Sequence, residues 1–105
     1  MVDIRISFDN RTVIATGHAN APRNEDGRDM VCCAVSTLVQ TLIFSCQELP
    51  GTVVYHDVAP GNVFARVSEP DSATDGVKHR LRMLLDGLKH LEKQYPEMIR
   101  VICDQ

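Results

Sequence analysis

Residues 30–47 contain no Asp, Glu, Lys or Arg, although 24% of the chain is charged. Apolar residues recur at helical spacing through this stretch, and Pro50 and Gly51 follow it, so we predict a helix from Asp29 to about Gln47. A helix on a protein surface normally carries charged residues opposite its apolar stripe. A helix without charges must therefore be covered on more than one side, or lie in a membrane. Its predicted apolar register is Val31, Val35, Leu38, Leu42, Cys46 and Leu49.

The membrane explanation is the weaker one. About 20 predominantly apolar residues are needed to cross a bilayer, and this stretch is interrupted by hydroxyl and amide side chains. We therefore expect one face of the helix to pack on a sheet and another to pack against a second copy of the protein. A homodimer is the expected assembly, with no membrane association. The polar positions are Ser36, Thr37, Gln40, Thr41, Ser45 and Gln47.

Five further segments have the features of β-strands: alternating apolar and polar residues, or β-branched residues between turn-forming ones. The predicted strands are residues 2–8, 12–16, 52–58, 62–67 and 98–103. A second, amphipathic helix is predicted from Pro70 to Pro96, with Ser72 and Asp75 as a capping pair. The order ββαββαβ predicts a single α+β domain over residues 1–105, with two helices packed on a mainly antiparallel sheet in two layers.

The overall charge excludes some classes of function. The chain of 105 residues has a net charge of -3 and no cluster of Lys and Arg, so direct binding of nucleic acid is not expected. The N-terminal residues alternate charged and apolar side chains, unlike the basic start and apolar run of a secretory signal. We therefore expect a cytoplasmic protein.

The chain has four cysteines, and their spacing restricts what they can do. In a reducing cytoplasm they are not expected to form a disulfide framework. No C-x-x-C pair is present and the four histidines are scattered singly, so we expect neither a metal site nor a cofactor. What remains is a buried thiol or a reactive one. The cysteines are Cys32, Cys33, Cys46 and Cys103.

Cys32 is the candidate for a reactive thiol. If Asp29 caps the helix, Cys32 is its third residue, where unpaired backbone N–H groups and the helix dipole favour negative charge. Such a place lowers the pKa of a cysteine, and the same N–H groups can stabilise an oxyanion. His18 is the nearest basic partner, and Cys with His is the minimum for thiol acyl transfer. A cysteine in an apolar helix is more often simply packed, so both interpretations stay open at this point.

Two short motifs favour the reactive interpretation. The sequences GHA at 17–19 and DMVCCAVS at 29–36, separated by a polar loop and followed by the uncharged helix, resemble the ribosomal-processing cysteine protease family along the whole chain. The resemblance implies a small homodimeric cysteine endopeptidase that removes the N-terminal extension of a bacterial large-subunit ribosomal protein. By match of position, His18 is the general base and Cys32 the nucleophile.

The same resemblance assigns supporting roles. Ser36 matches the serine of the second motif, and it either adds polarity to the active site or bonds its own helix backbone. Asp29 and Gly17 are further candidates for support of the site. Residues 19–28 lack large apolar side chains, so we expect them to close over a bound peptide, with Gly17 and Gly27 as hinges.

Cys33 is expected to be unreactive. Neighbouring side chains on a helix point about 100° apart, so Cys33 cannot share the position of Cys32, and we predict that it fills space in the core. A redox sensor is less favoured, because Cys46 lies about 21 Å further along the helix and a bridge to Cys33 would be strained. A noncatalytic ribosome-assembly or peptide-binding module remains the alternative function.

Overall fold

A computed structural model describes residues 1–17, 30–59 and 61–104. Both helices and all five strands are present in the predicted order, and each strand begins and ends within one residue of its predicted bounds. The two-layer α+β fold is thereby confirmed. The elements are β1 (Val2–Ser7), β2 (Thr12–Thr16), α1 (Met30–Gln47), β3 (Val53–Ala59), β4 (Asn62–Ser68), a short 3-10 helix (Asp71–Ala73), α2 (Thr74–Gln94) and β5 (Ile99–Asp104).

The five strands form one sheet in the order β3-β4-β2-β1-β5. Three of the four neighbouring pairs are antiparallel, and β1 with β5 is parallel, so the sheet is mainly antiparallel as predicted. Alternate residues of the strands point into the core, as the period of two requires. In β1 these are Val2, Ile4 and Ile6, each at most 3% exposed. The strands β3 and β5 are the two edges of the sheet.

Helix α1 is covered by two neighbours within the same chain. One side packs on β3 and β4, and another packs on α2, where Arg80 Nε donates a hydrogen bond of 2.7 Å to Ser45 Oγ. The absence of charge on α1 is thus explained in part by burial on two sides, although α2 takes one of the places predicted for a second copy. The buried residues of α1 are Val31, Val35, Val39, Leu42, Ile43 and Cys46.

A third stripe of α1 remains exposed. It contains Cys33, Thr37, Thr41 and Phe44, of which Phe44 is 61% exposed. By length and composition α1 could also cross a membrane. The buried residues of α1 belong to the core that it shares with the sheet, which favours a core helix over a membrane span.

The predicted capping pair of the second helix is wrong. Ser72 lies inside the 3-10 helix, the N-cap of α2 is Ala73, and no side chain caps the start of the 3-10 helix or of α2. The 3-10 turn runs directly into α2, and the Thr74 N–H already bonds the Asp71 carbonyl at this junction. Backbone carbonyl groups of the 3-10 turn therefore accept hydrogen bonds at the start of α2, a role that the sequence motif predicts for side chains.

Candidate active site

A groove of about 370 Å³ lies between the first two turns of α1 and one end of the sheet. From α1, Cys32, Cys33 and Ser36 line it. Gly17 lines it from the end of β2, and Val58 from β3. Three site candidates predicted from the sequence, namely Cys32, Ser36 and Gly17, therefore line one groove, although Gly17 follows β2 and the other two are in α1.

Cys32 is the third residue of α1 and is half-buried at the groove. This is the position predicted from the sequence. The first turn of a helix carries the positive end of the helix dipole, and its N–H groups point away from the helix body. A thiolate at this position is stabilised, and an oxyanion that forms beside it would meet the same field.

The prediction that Cys33 fills space in the core is wrong. Cys33 is exposed. The reason is the orientation of α1: Val31 and Val35 are the residues that face the sheet, and Cys33 is about 200° around the helix from Val31. Cys33 nevertheless lines the groove together with Cys32. The two side chains therefore point in different directions, and both residues border the same groove.

Ser36 lies one helical turn after Cys32, and its hydroxyl has a side-chain partner. Gln40 Nε2 donates a hydrogen bond of 2.8 Å to Ser36 Oγ. Within the part of the chain that the structure describes, Ser36 makes no side-chain bond to its own helix backbone, so that alternative is not observed. Because Gln40 uses the oxygen of Ser36 as acceptor, the hydroxyl hydrogen is left to donate, and Ser36 offers a polar group to the groove.

Gly17 is held tightly at the end of β2. Its φ is +98°, and a Cβ at this position would lie 2.3 Å from the Met1 carbonyl oxygen. Its N–H donates a hydrogen bond of 2.9 Å to the Gly61 carbonyl. Only glycine fits this approach to backbone, so the point at which the chain leaves β2 toward residue 18 is determined by packing. A hinge at Gly17 stays a prediction.

Several site predictions fall outside the described residues. His18, Gly27 and Asp29, together with the predicted lid of residues 19–28, lie there. The pairing of His18 with Cys32, the helix cap and the lid therefore stay predictions.

The other two cysteines are poor candidates for a nucleophile. Cys46 is completely buried, and burial raises the pKa of its thiol. For Cys103, burial also raises the pKa, and the neighbouring carboxylate of Asp104 adds to the effect. A thiol with a raised pKa is protonated at neutral pH and reacts slowly.

Sequence reasoning missed Val58 and Gln40. In the sequence, Val58 has only the features of a strand residue. It lines the groove because α1 packs on β3. The helical spacing of Ser36 and Gln40, four residues apart, was the signal that could have revealed their hydrogen bond.

Comparison with known families supports the chemistry suggested by the groove. A family model described as "Cysteine protease Prp" matches residues 1–100. The chain belongs to this family. Membership of this family identifies the chain as a cysteine protease. A search of curated proteins gives no match.

Solved structures show the same fold. The ribosomal processing protease Prp from S. aureus with a covalently linked product peptide has a TM-score of 0.80 and 24% identity, covering 99% of this chain and 100% of that one. The same protease with a substrate peptide has a TM-score of 0.76 and 23% identity, with the same coverage. SMU.848 from Streptococcus mutans has a TM-score of 0.68 and 23% identity, covering 97% of this chain and 90% of that one. These likenesses establish the Prp fold for this chain.

Proposed function

We propose that this protein is a cysteine endopeptidase that removes the N-terminal extension of a bacterial large-subunit ribosomal protein. The observation that carries the proposal is the place of Cys32, in the first turn of α1 and on the wall of a groove. Membership of the Prp family supports thiol protease chemistry. The S. aureus protein of the same fold is described as a ribosomal processing protease, which supports the choice of substrate.

In this proposal His18 is the general base. It follows Gly17 directly in the sequence, and Gly17 lines the groove that Cys32 also lines. The pairing of His18 with Cys32 is supported by this shared groove and by the match of position with the family motif.

The reaction proceeds in two stages. His18 takes the proton of the Cys32 thiol, and Cys32 Sγ forms a bond to the carbonyl carbon of the scissile peptide while first-turn N–H groups stabilise the oxyanion. The C–N bond then breaks as His18 returns the proton to the leaving amine. Water, activated by His18, hydrolyses the thioester and releases the new C-terminus of the extension. Ser36 is positioned to add a hydrogen bond at the groove.

Cleavage of an extended ribosomal protein tests this function directly. The protein should convert the N-terminally extended form into one shorter product, detected by intact mass and by the sequence of the new N-terminus. The matched control is the same ribosomal protein made without its extension, which should stay unchanged. If the extended form binds and is never cut, the chain is a noncatalytic ribosome-assembly or peptide-binding module instead.

We also propose that the protein is a homodimer that pairs through the exposed stripe of α1. This stripe carries no charge, and Phe44 at 61% exposure supplies a large apolar contact. A two-fold interface would bury the same stripe on both subunits and would complete the covering of an uncharged helix.

Substitution of Thr41 by Glu tests this dimer. Thr41 is exposed in the middle of the stripe, so a two-fold pairing would bring two new carboxylates close together and leave them desolvated. Sedimentation at micromolar concentration should show a dimer for the parent and a monomer for Thr41→Glu. The control is Met83→Glu on α2, where the parent residue is 77% exposed, and it should remain dimeric. A monomeric parent would contradict the proposal.

A cytoplasmic location without direct nucleic-acid binding completes the proposal. The net charge of -3 supports the absence of direct nucleic-acid binding, because a surface that follows phosphates needs a basic excess.

A further inference from the structure

The two edge strands of the sheet, β3 and β5, differ in their hydrogen bonds to the rest of the fold. At the β5 edge, the Val101 N–H donates to Glu92 Oε2 at 2.7 Å, and Lys89 Nζ donates to the Val101 carbonyl at 3.3 Å. Two side chains of α2 therefore occupy the backbone groups that an additional strand would need. Among the described residues, no side chain is hydrogen-bonded to the outer edge of β3. As far as the described residues show, the backbone of β5 is occupied at Val101, whereas the outer edge of β3 can accept an additional strand.

The pairing of the strands determines which backbone groups of β3 face outward. On the β2 side of β4, the Val67 N–H donates to the Arg11 carbonyl, and the Gly61 carbonyl accepts from Gly17, both at 2.9 Å. In an antiparallel ladder both backbone groups of a residue point to one side, and they alternate along the strand. The odd-numbered residues of β4 thus bond β2, and the even-numbered ones bond β3.

The even-numbered residues of β4 include Phe64 and Arg66, whose partners in β3 are Asp57 and Tyr55. The residues between and beside these partners direct their N–H and C=O groups away from β4, to the open edge. The residues of β3 with outward backbone groups are Val54, His56 and Val58.

This open edge adjoins the groove that contains Cys32. Val58 lines that groove, and it also lines a second depression of about 380 Å³ together with His56, Gln40 and Phe44. Val54, His56 and Val58 have their side chains on the helix-covered face of the sheet, because side chains alternate along a strand and Val54 is buried in the core. Val58, whose backbone N–H and C=O face outward, therefore lines the same groove as Cys32.

We propose that the peptide substrate binds as an additional β-strand on the free edge of β3, pairing with the backbone of Val58 and His56 beside Cys32. The inference rests on the proposed peptidase function and adds the way in which the substrate is held. An extended peptide supplies alternating donors and acceptors that match an open edge, whatever its side chains are. Every second side chain of the peptide would then point toward α1, into the two depressions.

Proline at position 58 tests the pairing. Val58→Pro removes the outward N–H and leaves the bonds to β4 in place, because the N–H of this residue does not take part in that ladder. Val58→Ala is the matched control, since it shortens the side chain and keeps the N–H. Both are made in a Cys33→Ala background so that a single groove thiol is followed, and circular dichroism checks the fold of each.

The probe is acetyl-tetraalanyl chloromethyl ketone, in which the sulfur of Cys32 displaces chloride and forms a thioether. Alkylation by this peptide should be about tenfold slower for Val58→Pro than for the parent, as expected for loss of one backbone hydrogen bond, and the decrease for Val58→Ala should be clearly smaller. Iodoacetamide, which has no strand to pair, should label Cys32 at similar rates in all three proteins. The label is located by peptide mass mapping.

A second measurement changes the peptide probe and keeps Val58 in the protein. Single N-methylation of the alanines should slow alkylation at alternate positions and leave the positions between them nearly unchanged, since only every second N–H of an added strand points to β3.

The outcomes separate the two proposals. If neither reagent labels Cys32 faster than an ordinary thiol, the peptidase function fails. If iodoacetamide labels Cys32 readily while the peptide probe is insensitive to Val58→Pro and to the position of the N-methyl group, the binding mode is overturned and the peptidase function stands. Conversion of a dimer to a monomer by Val58→Pro would assign the β3 edge to a second copy and would also overturn the proposal.

Discussion

Replacement of Cys32 by Ala is expected to lower the cleavage rate by at least about 10³-fold, because the substitution removes the atom that forms the covalent intermediate. The fold should be unaffected, since Cys32 is half-buried at a groove and alanine fits the same helical position. Single-turnover cleavage of the extended ribosomal protein, followed by intact mass, measures the rate. Thermal unfolding of the variant, compared with the parent, measures the stability.

Cys33→Ala is the matched control, one residue away. Cys33 is exposed, so its loss should change the free energy of unfolding by less than about 0.5 kcal/mol. We expect most of the activity to remain. Cleavage at the parent rate by Cys32→Ala, or loss of cleavage in Cys33→Ala, would mean that the nucleophile has been assigned to the wrong residue.

Selective alkylation gives the same assignment without a substrate. At neutral pH, Cys46 and Cys103 should remain unlabelled because the pKa of each thiol is raised, so neither carries much thiolate until the pH is increased. Cys33 is exposed within one chain, and labelling of the Thr41→Glu variant, expected to be monomeric, keeps the proposed dimer from covering it. Preference for Cys32 over Cys33 must therefore come from the reactivity of the Cys32 thiol, and faster labelling of Cys33 would count against its role.

Gly17→Ala is expected to lower the free energy of unfolding by about 2–3 kcal/mol. A Cβ would lie 2.3 Å from the Met1 carbonyl oxygen, which is backbone and cannot rotate away, and the φ of +98° is unfavourable for any residue with a Cβ. Relief of the contact would separate the end of β2 from the start of β1. Urea unfolding, with the midpoint and slope measured for both proteins, gives the change.

Gly87→Ala is the control for this substitution. Gly87 is inside α2, and an added Cβ would lie 3.4 Å from Leu38 Cδ2, an ordinary van der Waals distance. Alanine also favours the helix, so the free energy of unfolding should rise by about 0.5–1 kcal/mol. The two substitutions should thus have opposite signs. If Gly17→Ala is as stable as the parent, the chain leaves β2 along a different path.

Gly17→Ala also bears on activity. Because Gly17 precedes His18, a shift that relieves the contact with Met1 would move the proposed base relative to Cys32. Loss of cleavage in a variant that remains folded at low temperature would indicate that this glycine positions the base, beyond its effect on stability.

The order of the elements could be predicted from the sequence because it depends on local patterns. Alternation at Val2, Ile4 and Ile6 marks a strand whichever neighbours it has, and the regular apolar spacing of the helices does the same. The place of Cys32 in the first turn of α1 is local for the same reason, since it follows from where the helix starts. These are the parts of the fold and of the site that the structure confirms.

Other features depend on which surfaces meet, and they needed the tertiary structure. Whether Cys33 is buried depends on how α1 is rotated about its axis on the sheet. The apolar residues beside Cys33 in the sequence do not determine that rotation. The junction of the 3-10 helix with α2 made the capping role of Ser72 unnecessary, because backbone groups of the preceding turn had already supplied the bonds.

The free edge of β3 is the clearest case of a property that only the tertiary structure decided. Strands β3 and β5 are both rich in β-branched residues. Neither segment's sequence indicates which strand lies next to it in the sheet. The order of the sheet makes both of them edges. The packing of α2 brings Glu92 and Lys89 to Val101 of β5, whereas no side chain of the described ranges is hydrogen-bonded to the outer edge of β3. Strand order arises from contacts between residues far apart in the chain, which local periodicity does not encode.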